Sequence, residues 1–250
     1  MRYENYIFDL YGTLVNIHTD EEKPILWKNM AIYLKERFDI EYESNELRKA
    51  YLKTCNEEVL SLKEKIKVSE PEIRITWVWA KLILDKRPVN RFESSLDKEL
   101  MDVLKTREDV PEQNNEETVP DWLLDLCIFF RETSRDKLRK FEDVDKTIKA
   151  LREAGRRVYL LSNAQRVFTM KELEDVSLLE CFDDIFISSD KLVKKPDKRF
   201  MELLLNKHSL DRNTCVMIGN EPESDVKVAE NCGMDSMLIE DGNIGRILKI

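Results

Sequence analysis

Tyr6-Ile7-Phe8-Asp9-Leu10-Tyr11-Gly12-Thr13-Leu14 is a short apolar run that stops at a carboxylate and then turns through a glycine. A run of this length, bounded by polar and turn residues, reads as a buried strand whose end delivers Asp9 to the edge of a sheet. Three later stretches repeat the pattern. Val158-Tyr159-Leu160-Leu161 runs into Ser162-Asn163, Ile185-Phe186-Ile187 into Ser188-Ser189, and Cys215-Val216-Met217-Ile218 into Gly219-Asn220. Ser236-Met237-Leu238-Ile239 is a fifth candidate. Helical patterns separate them at residues 144–154 (closed by Gly155), 198–206 and 224–232 (closed by Gly233), glycine being the residue that enters the left-handed conformation at a helix end most cheaply. Short apolar strands alternating with helices predict an α/β fold built on a parallel sheet.

Residues 16–140 read differently. They show no strand pattern and several amphipathic helices, at 24–38 with Pro24 in the first turn, at 44–65, and at 122–130. A further helix is expected to start at Ser69-Glu70-Pro71-Glu72, whose spacing is that of a capping box, and to run through Ile73, Trp77, Ala80 and Leu84. Residues 107–118 are polar, with Pro111 and two adjacent asparagines, and predict a surface loop. The expected architecture is a Rossmann-like parallel-sheet core from residues 1–15 and 141–250, with a helical cap domain, 16–140, inserted after the first strand. That insertion sits over the C-terminal edge of the sheet, where open α/β sheets bind ligands. Trp27, Tyr33, Trp77, Trp79 and Trp122 lie at helical spacing among Leu and Ile and predict core packing rather than pocket lining.

Composition narrows the function. The 250 residues are 42% hydrophobic and 36% charged, with a formal net charge of −9. An acidic chain without a dense Lys/Arg cluster is not built to follow a nucleic-acid backbone, so a small molecule is the expected partner. Two histidines, His18 and His208, are too few for a His-rich zinc site or a Ser-His-Asp triad. Five scattered cysteines without a CxxC pair predict free thiols in a reducing compartment. The N-terminus is too short and too acidic for a signal peptide, and no apolar stretch approaches membrane-spanning length; the expectation is a cytoplasmic protein without membrane contact. Nothing in the sequence sets an oligomeric state.

Four polar groups follow predicted strand ends or their loops: Asp9, Ser162, Lys195 and Asp225. A carboxylate nucleophile, a hydroxyl donor, a cation and a second carboxylate suit attack by Asp9 on an electrophile that carries negative charge. Asp9 and Asp225 could share a Mg²⁺.

The order of these features carries a resemblance. Phe8-Asp9-Leu10-Tyr11-Gly12-Thr13-Leu14 resembles the first motif of the haloacid dehalogenase-like superfamily, Leu160-Leu161-Ser162-Asn163 the second, Lys195-Pro196-Asp197 the third, and Ile218-Gly219-Asn220 through Asp225 the fourth. The similarity covers residues 1–15 and 141–240, and the region between is similar to the family's first-type helical cap. The resemblance implies that Asp9 is the nucleophile of a covalent aspartyl intermediate and that Ser162, Asn163 and Lys195 bind the transferred group. It implies metal ligands at Asp9, the Tyr11 backbone carbonyl and Asp225, with Asn220 or Glu221 as further candidates. It also implies a cap hinged near residues 14–18 and 136–142.

One position departs from the family's phosphatases. They carry a general-acid Asp two residues after the nucleophile, where this chain has Tyr11; loss of such an acid costs roughly 10²–10⁴-fold in rate. The family's 2-haloacid dehalogenases share the Asp-Leu-Tyr-Gly-Thr run, since a leaving halide needs no proton, and Asn163 also agrees with them. Glu221, Glu223 and Asp225 point the other way, because an acidic cluster favours a cation and disfavours a carboxylate substrate. Met201 stands where a dehalogenase tyrosine is expected, and His18 follows the first motif as a surface or hinge residue. Three readings follow: a Mg²⁺-dependent phosphatase of small metabolites, a metal-independent 2-haloacid dehalogenase, and a catalytically weak member that binds a phosphoryl ligand or a protein partner.

Overall fold

The computed structural model describes residues 2–87, 94–109 and 116–249. In chain order, β1 (Asn5–Phe8) is followed by a ribbon strand β2 (Val15–Thr19) and five helices: α1 (Pro24–Phe38), α2 (Ser44–Ile66), α3 (Ile75–Lys86), α4 (Ser95–Lys105) and α5 (Asp121–Ser134). The chain returns through β3 (Arg135–Lys140) and then alternates: α6 (Val144–Glu153), β4 (Arg157–Ser162), α7 (Arg166–Asp175), β5 (Asp184–Ile187), α8 (Ser188–Lys191), α9 (Lys198–Lys207), β6 (Cys215–Gly219), α10 (Lys227–Cys232) and β7 (Asp235–Leu238).

Five of the strands form one parallel sheet in the order β5-β4-β1-β6-β7. Alternation along each strand decides what its two faces bury. Tyr6, Phe8, Val158, Leu160, Val216 and Ile218 pack against Val144, Ile148 and Leu151 of α6. Ile7, Tyr159, Leu161 and Met217 point the other way, onto Phe200, Leu204 and Leu205 of α9 and Val228 and Ala229 of α10. A sheet covered on both faces needs strands that are apolar throughout, which is why these stretches were visible in the sequence. With β1 central, Asp9 sits one residue past the C-terminal end of the middle strand, and its N–H donates to the Ile218 carbonyl at 2.8 Å.

The helices between β2 and β3 bury their own core, including Trp27, Leu34, Leu47, Trp77, Trp79, Leu126 and Phe130. Trp27, Trp77 and Trp79 are buried, and Tyr33 and Trp122 pack against the same cluster, so the aromatics serve as core.

Three expectations need correction. The stretch 16–140 does contain strands at its ends: β2 and β3 pair antiparallel, Val15 opposite Lys140 and Ile17 opposite Leu138. Arg-Asp-Lys-Leu-Arg-Lys has one apolar residue, so β3 carries no periodic signal of its own and exists through its partner. His18 lies on this ribbon with its Nδ1 2.8 Å from Asp136, facing solvent. Second, Ser69 caps no helix. The helix begins at Ile75, and residues 69–74 instead run across the sheet domain. Third, the segment 224–232 is regular only from Lys227; Pro222–Val226 is a π-helical turn. Of the loop expected at 107–118, residues 110–115 lie outside the described residues, and Thr106–Glu108 is a 3₁₀ turn. Among the described residues no helix is long and apolar enough to cross a membrane.

Candidate active site

Lys195 joins the two carboxylates. Its Nζ donates to Asp9 Oδ1 at 2.7 Å and to Asp225 Oδ1 at 2.6 Å, and all three side chains are buried. The sheet register sets Asp9 beside the C-terminal end of β4, which carries Ser162, and the loop after β6, which carries Asp225, because β1 is hydrogen-bonded to both strands. Lys195 arrives from the segment after β5 and α8, where Asn163 binds its main chain. Two glycines permit the close approach. A Cβ on Gly219 would stand 2.1 Å from the Asp225 carboxylate, and one on Gly12, whose φ is +84°, would stand 2.5 Å from the Asn220 side chain. The π-helical turn then orients Asp225, whose Oδ2 accepts the Glu221 N–H at 3.0 Å.

The electrostatics are those of a shared buried cation. Burial raises the Asp9 carboxyl above the usual carboxylate range; Lys195 pulls it back and Asp225 pushes it further up. Burial opposes the charge on Lys195, but the carboxylates of Asp9 and Asp225 outweigh that and hold the ammonium protonated. Two carboxylates against one ammonium leave the cluster at net −1.

The other expected residues fall around this cluster. Ser162 is fully buried, and its Oγ has no hydrogen-bond partner among the described residues; a buried hydroxyl in that state is an unused donor. Asn163 spends its side chain on the main chain of Lys195, accepting from the Lys195 N–H at 2.8 Å and donating to its carbonyl at 3.0 Å. It therefore sets the Lys195 loop. Asn220 accepts from Thr13 Oγ1 at 3.0 Å, and the same hydroxyl lies 3.3 Å from Asp9 Oδ2. The Glu221 carboxylate is exposed and holds Ser224 Oγ at 2.9 Å. Met201 is buried among core residues of α9.

Thr13, to which the motif reading gives no role, also reaches the cluster. Its signal was the spacing of four from Asp9 across a glycine turn, which brings the hydroxyl back onto the carboxylate. The destination of Tyr11 was also unforeseen. Its hydroxyl donates to Glu172 on α7 and meets Thr169 Oγ1 at 3.0 Å. Glu172, itself buried, is gripped by Arg131 and Arg135 at 2.7 Å each. Burial raises the Tyr11 phenol far above its usual value, and the Glu172 charge adds to this. A phenol so placed is a poor proton donor at neutral pH. Tyr11→Phe is expected to cost about 1.5–3 kcal/mol of stability, the range for a hydrogen bond to a charged group. It is also expected to leave kcat within about threefold of wild type. Urea unfolding and steady-state kinetics check the two halves, and a collapse of kcat would show that the Tyr11 hydroxyl takes part in the reaction.

A family model described as haloacid dehalogenase-like hydrolase matches residues 3–233. Glyceraldehyde 3-phosphate phosphatase of Pyrococcus abyssi is 25% identical over 123 residues, which are 49% of this chain and 52% of that protein. Phosphoglycolate phosphatase of Vibrio cholerae is 28% identical over 105 residues, 42% of this chain and 46% of that one. The chain thus aligns with about half the length of the curated relatives it matches. A HAD phosphatase from Thermococcus onnurineus shares the fold, with a TM-score of 0.51 at 17% identity over 95% of this chain and 86% of that one. With the Asp9 loop, the shared lysine and the second carboxylate converging on one sheet edge, and the family match extending over nearly the whole chain, the protein belongs to the haloacid dehalogenase-like hydrolases.

Proposed function

We propose that the protein is a Mg²⁺-dependent phosphatase of a small phosphorylated metabolite. The observation that carries this reading is the buried Asp9–Lys195–Asp225 cluster. It already carries net negative charge, so a dianionic phosphoryl group entering beside it calls for a divalent cation. The donors suit one. Mg²⁺ takes oxygen ligands and is commonly held by one or two carboxylates, with water and substrate phosphate completing the shell. Asp9 and Asp225 are such a pair, and among the described residues no group of three or more His, Cys, Asp or Glu side chains offers a competing site. The Tyr11 backbone carbonyl would add a ligand, and of the two further candidates Asn220 is linked to Asp9 through the Thr13 hydroxyl, whereas the Glu221 carboxylate is turned to Ser224. When bound, the ion neutralises charge on the transferring group.

The chain's own residues supply the rest. Asp9 attacks phosphorus, the bond from phosphorus to the metabolite oxygen breaks, and the departing alkoxide takes its proton from water. A second water then hydrolyses the aspartyl-phosphate, releasing inorganic phosphate and free Asp9. The 3.3 Å contact from Thr13 holds Oδ2 only loosely, so Oδ2 is the freer oxygen for attack, while Lys195 fixes Oδ1. Lys195 and the Ser162 hydroxyl, which has no partner among the described residues, stabilise the transferred oxygens, and Asn163 keeps Lys195 in place through its main chain. The helices between the ribbon strands act as a cap, with the ribbon as its hinge.

Phosphate release from a panel of phosphometabolites tests the proposal. Turnover is expected with Mg²⁺ and is expected to vanish when a chelator is added. The second reading, a 2-haloacid dehalogenase, is favoured by Tyr11, whose hydroxyl is committed to Glu172. It gains if halide is released from 2-haloacids with the chelator present and no phosphoester is turned over.

A further inference from the structure

The segment that leaves α2 does not stay in the helical unit. Arg199 Nη2 donates to the Lys67 carbonyl at 2.7 Å, and Val68 is buried against the sheet domain. Ser69 donates through both its N–H and its hydroxyl to Asp197 Oδ2, each at 2.9 Å. The Lys194 N–H reaches the Glu70 carbonyl at 3.0 Å, Pro71 bridges antiparallel to Val193, and the Glu72 N–H reaches the Leu192 carbonyl at 3.1 Å. The strap is thus paired along the chain that leads into Lys195.

Its second contact is the loop after Ser162. Gln165 Nε2 donates to Glu72 Oε1 at 3.1 Å and to the Ile73 carbonyl at 2.8 Å, while Gln165 Oε1 accepts the Ile75 N–H at 2.8 Å. Ser188 Oγ shares its one proton between Glu72 Oε2 and the Ala164 carbonyl, each at 3.1 Å, and accepts the Ala164 N–H at 2.9 Å. The Glu72 carboxylate therefore holds the loop carrying Ser162 and Asn163, while the main chain of Glu70 and Glu72 pairs with residues 192–194 that lead into Lys195, so the strap joins the two. Nothing in the chemistry assigned above uses it.

We infer that residues 69–75 are a clamp that fixes the Ser162 and Lys195 loops relative to each other, with Glu72 as its positioning residue. The inference rests on the phosphatase reading for its kinetic consequence but not for its structural one. Phosphoryl-transfer catalysis depends on placing the donors on the transferred oxygens, and a misplacement of about 1 Å can cost about 10²-fold. The same links add a third crossing between the helical unit and the sheet domain, beside the two ribbon strands. Any hinge motion about the ribbon must first release the strap.

The test uses the full-length protein with Glu72→Ala and Glu72→Gln, assayed with Mg²⁺ and p-nitrophenyl phosphate below the unfolding temperature of both variants. Glu72→Ala is expected to lower kcat by about 10²-fold with KM changed less than about threefold. Glu72→Gln is expected to recover most of kcat, because its amide can accept from Gln165 and donate to Ser188 Oγ. Backbone hydrogen exchange provides the arm that needs no activity. In Glu72→Ala the amides of Lys194, Ile75 and Ala164 are expected to exchange faster, while those of β1 and β6 are unchanged. Faster local exchange with kcat unaltered would refute the positioning role alone. Exchange unaltered at those three amides, or raised equally throughout the sheet, would refute the clamp. If wild type turns over no phosphoester, the phosphatase reading fails and the exchange arm still decides the clamp.

Discussion

Asp9→Asn is expected to abolish turnover, by roughly 10⁴-fold or more, while leaving the protein folded. The amide keeps the shape of the carboxylate but has no charged oxygen to attack with, so no covalent intermediate forms. Stability is not expected to fall. Asp9 is buried and burial already disfavours its charge; a neutral isostere removes that penalty, and Lys195 keeps Asp225 as its partner at 2.6 Å. Acid-quenched single turnovers with labelled phosphate check the point directly. Wild type should trap label on the protein and the variant should not. Turnover within tenfold of wild type would show that another group is the nucleophile.

Lys195→Ala is expected to be the most damaging change to stability. It strips the only cation that hydrogen-bonds both Asp9 and Asp225 among the described residues and leaves two buried carboxylates facing each other. Removing one partner from a buried ion pair costs about 3–5 kcal/mol. The pH dependence has a definite sign. Without Lys195 the influence that lowers the Asp9 carboxyl is gone and the influences that raise it remain. A carboxyl whose folded value is raised favours the native state while protonated and loses that stability as pH rises through the folded value. The deficit relative to wild type should therefore be smaller at pH 5 than at pH 8 in metal-free buffer. Urea midpoints at the two pH values measure it, and a deficit independent of pH would mean that the lysine acts through packing alone.

Asp197, in the same loop, behaves oppositely. Burial pushes its carboxyl up, but bonds from Arg199 and Ser69 outweigh burial and hold it at about 2, against an ordinary 3.8. A depressed carboxyl contributes stability that is present above its unfolded value and is lost as pH falls through the folded one. Asp197→Ala should cost about 1–2 kcal/mol at pH 7, after allowance for solvent screening. Its difference from wild type should disappear near pH 2. A difference that persists there in acid titration would assign the effect to capping of α9, whose Arg199 N–H Asp197 also accepts.

Much of this protein could be read before folding. Residues 6–8, 158–161, 185–187 and 215–218 are apolar throughout because a parallel sheet is covered on both faces, and that requirement is written locally. The same holds for Pro24–Phe38, whose bounds follow from Pro24 and a 3.6-residue period. Asp9, Ser162, Lys195 and Asp225 stood out by residue type and order, but only tertiary packing puts Lys195, which follows α8, against Asp9 and Asp225.

What stayed hidden depends on partners distant along the chain. β3 has a single apolar residue and becomes a strand only opposite β2. Ser69 has the spacing of a helix cap, but its hydroxyl is taken by Asp197, 128 residues away. Tyr11 occupies a catalytic spacing, yet Glu172, 161 residues on, claims its hydroxyl. Local periodicity follows from backbone geometry and is carried by neighbours in sequence. The choice of a polar partner is made only when packing removes water and leaves each buried donor one acceptor within reach.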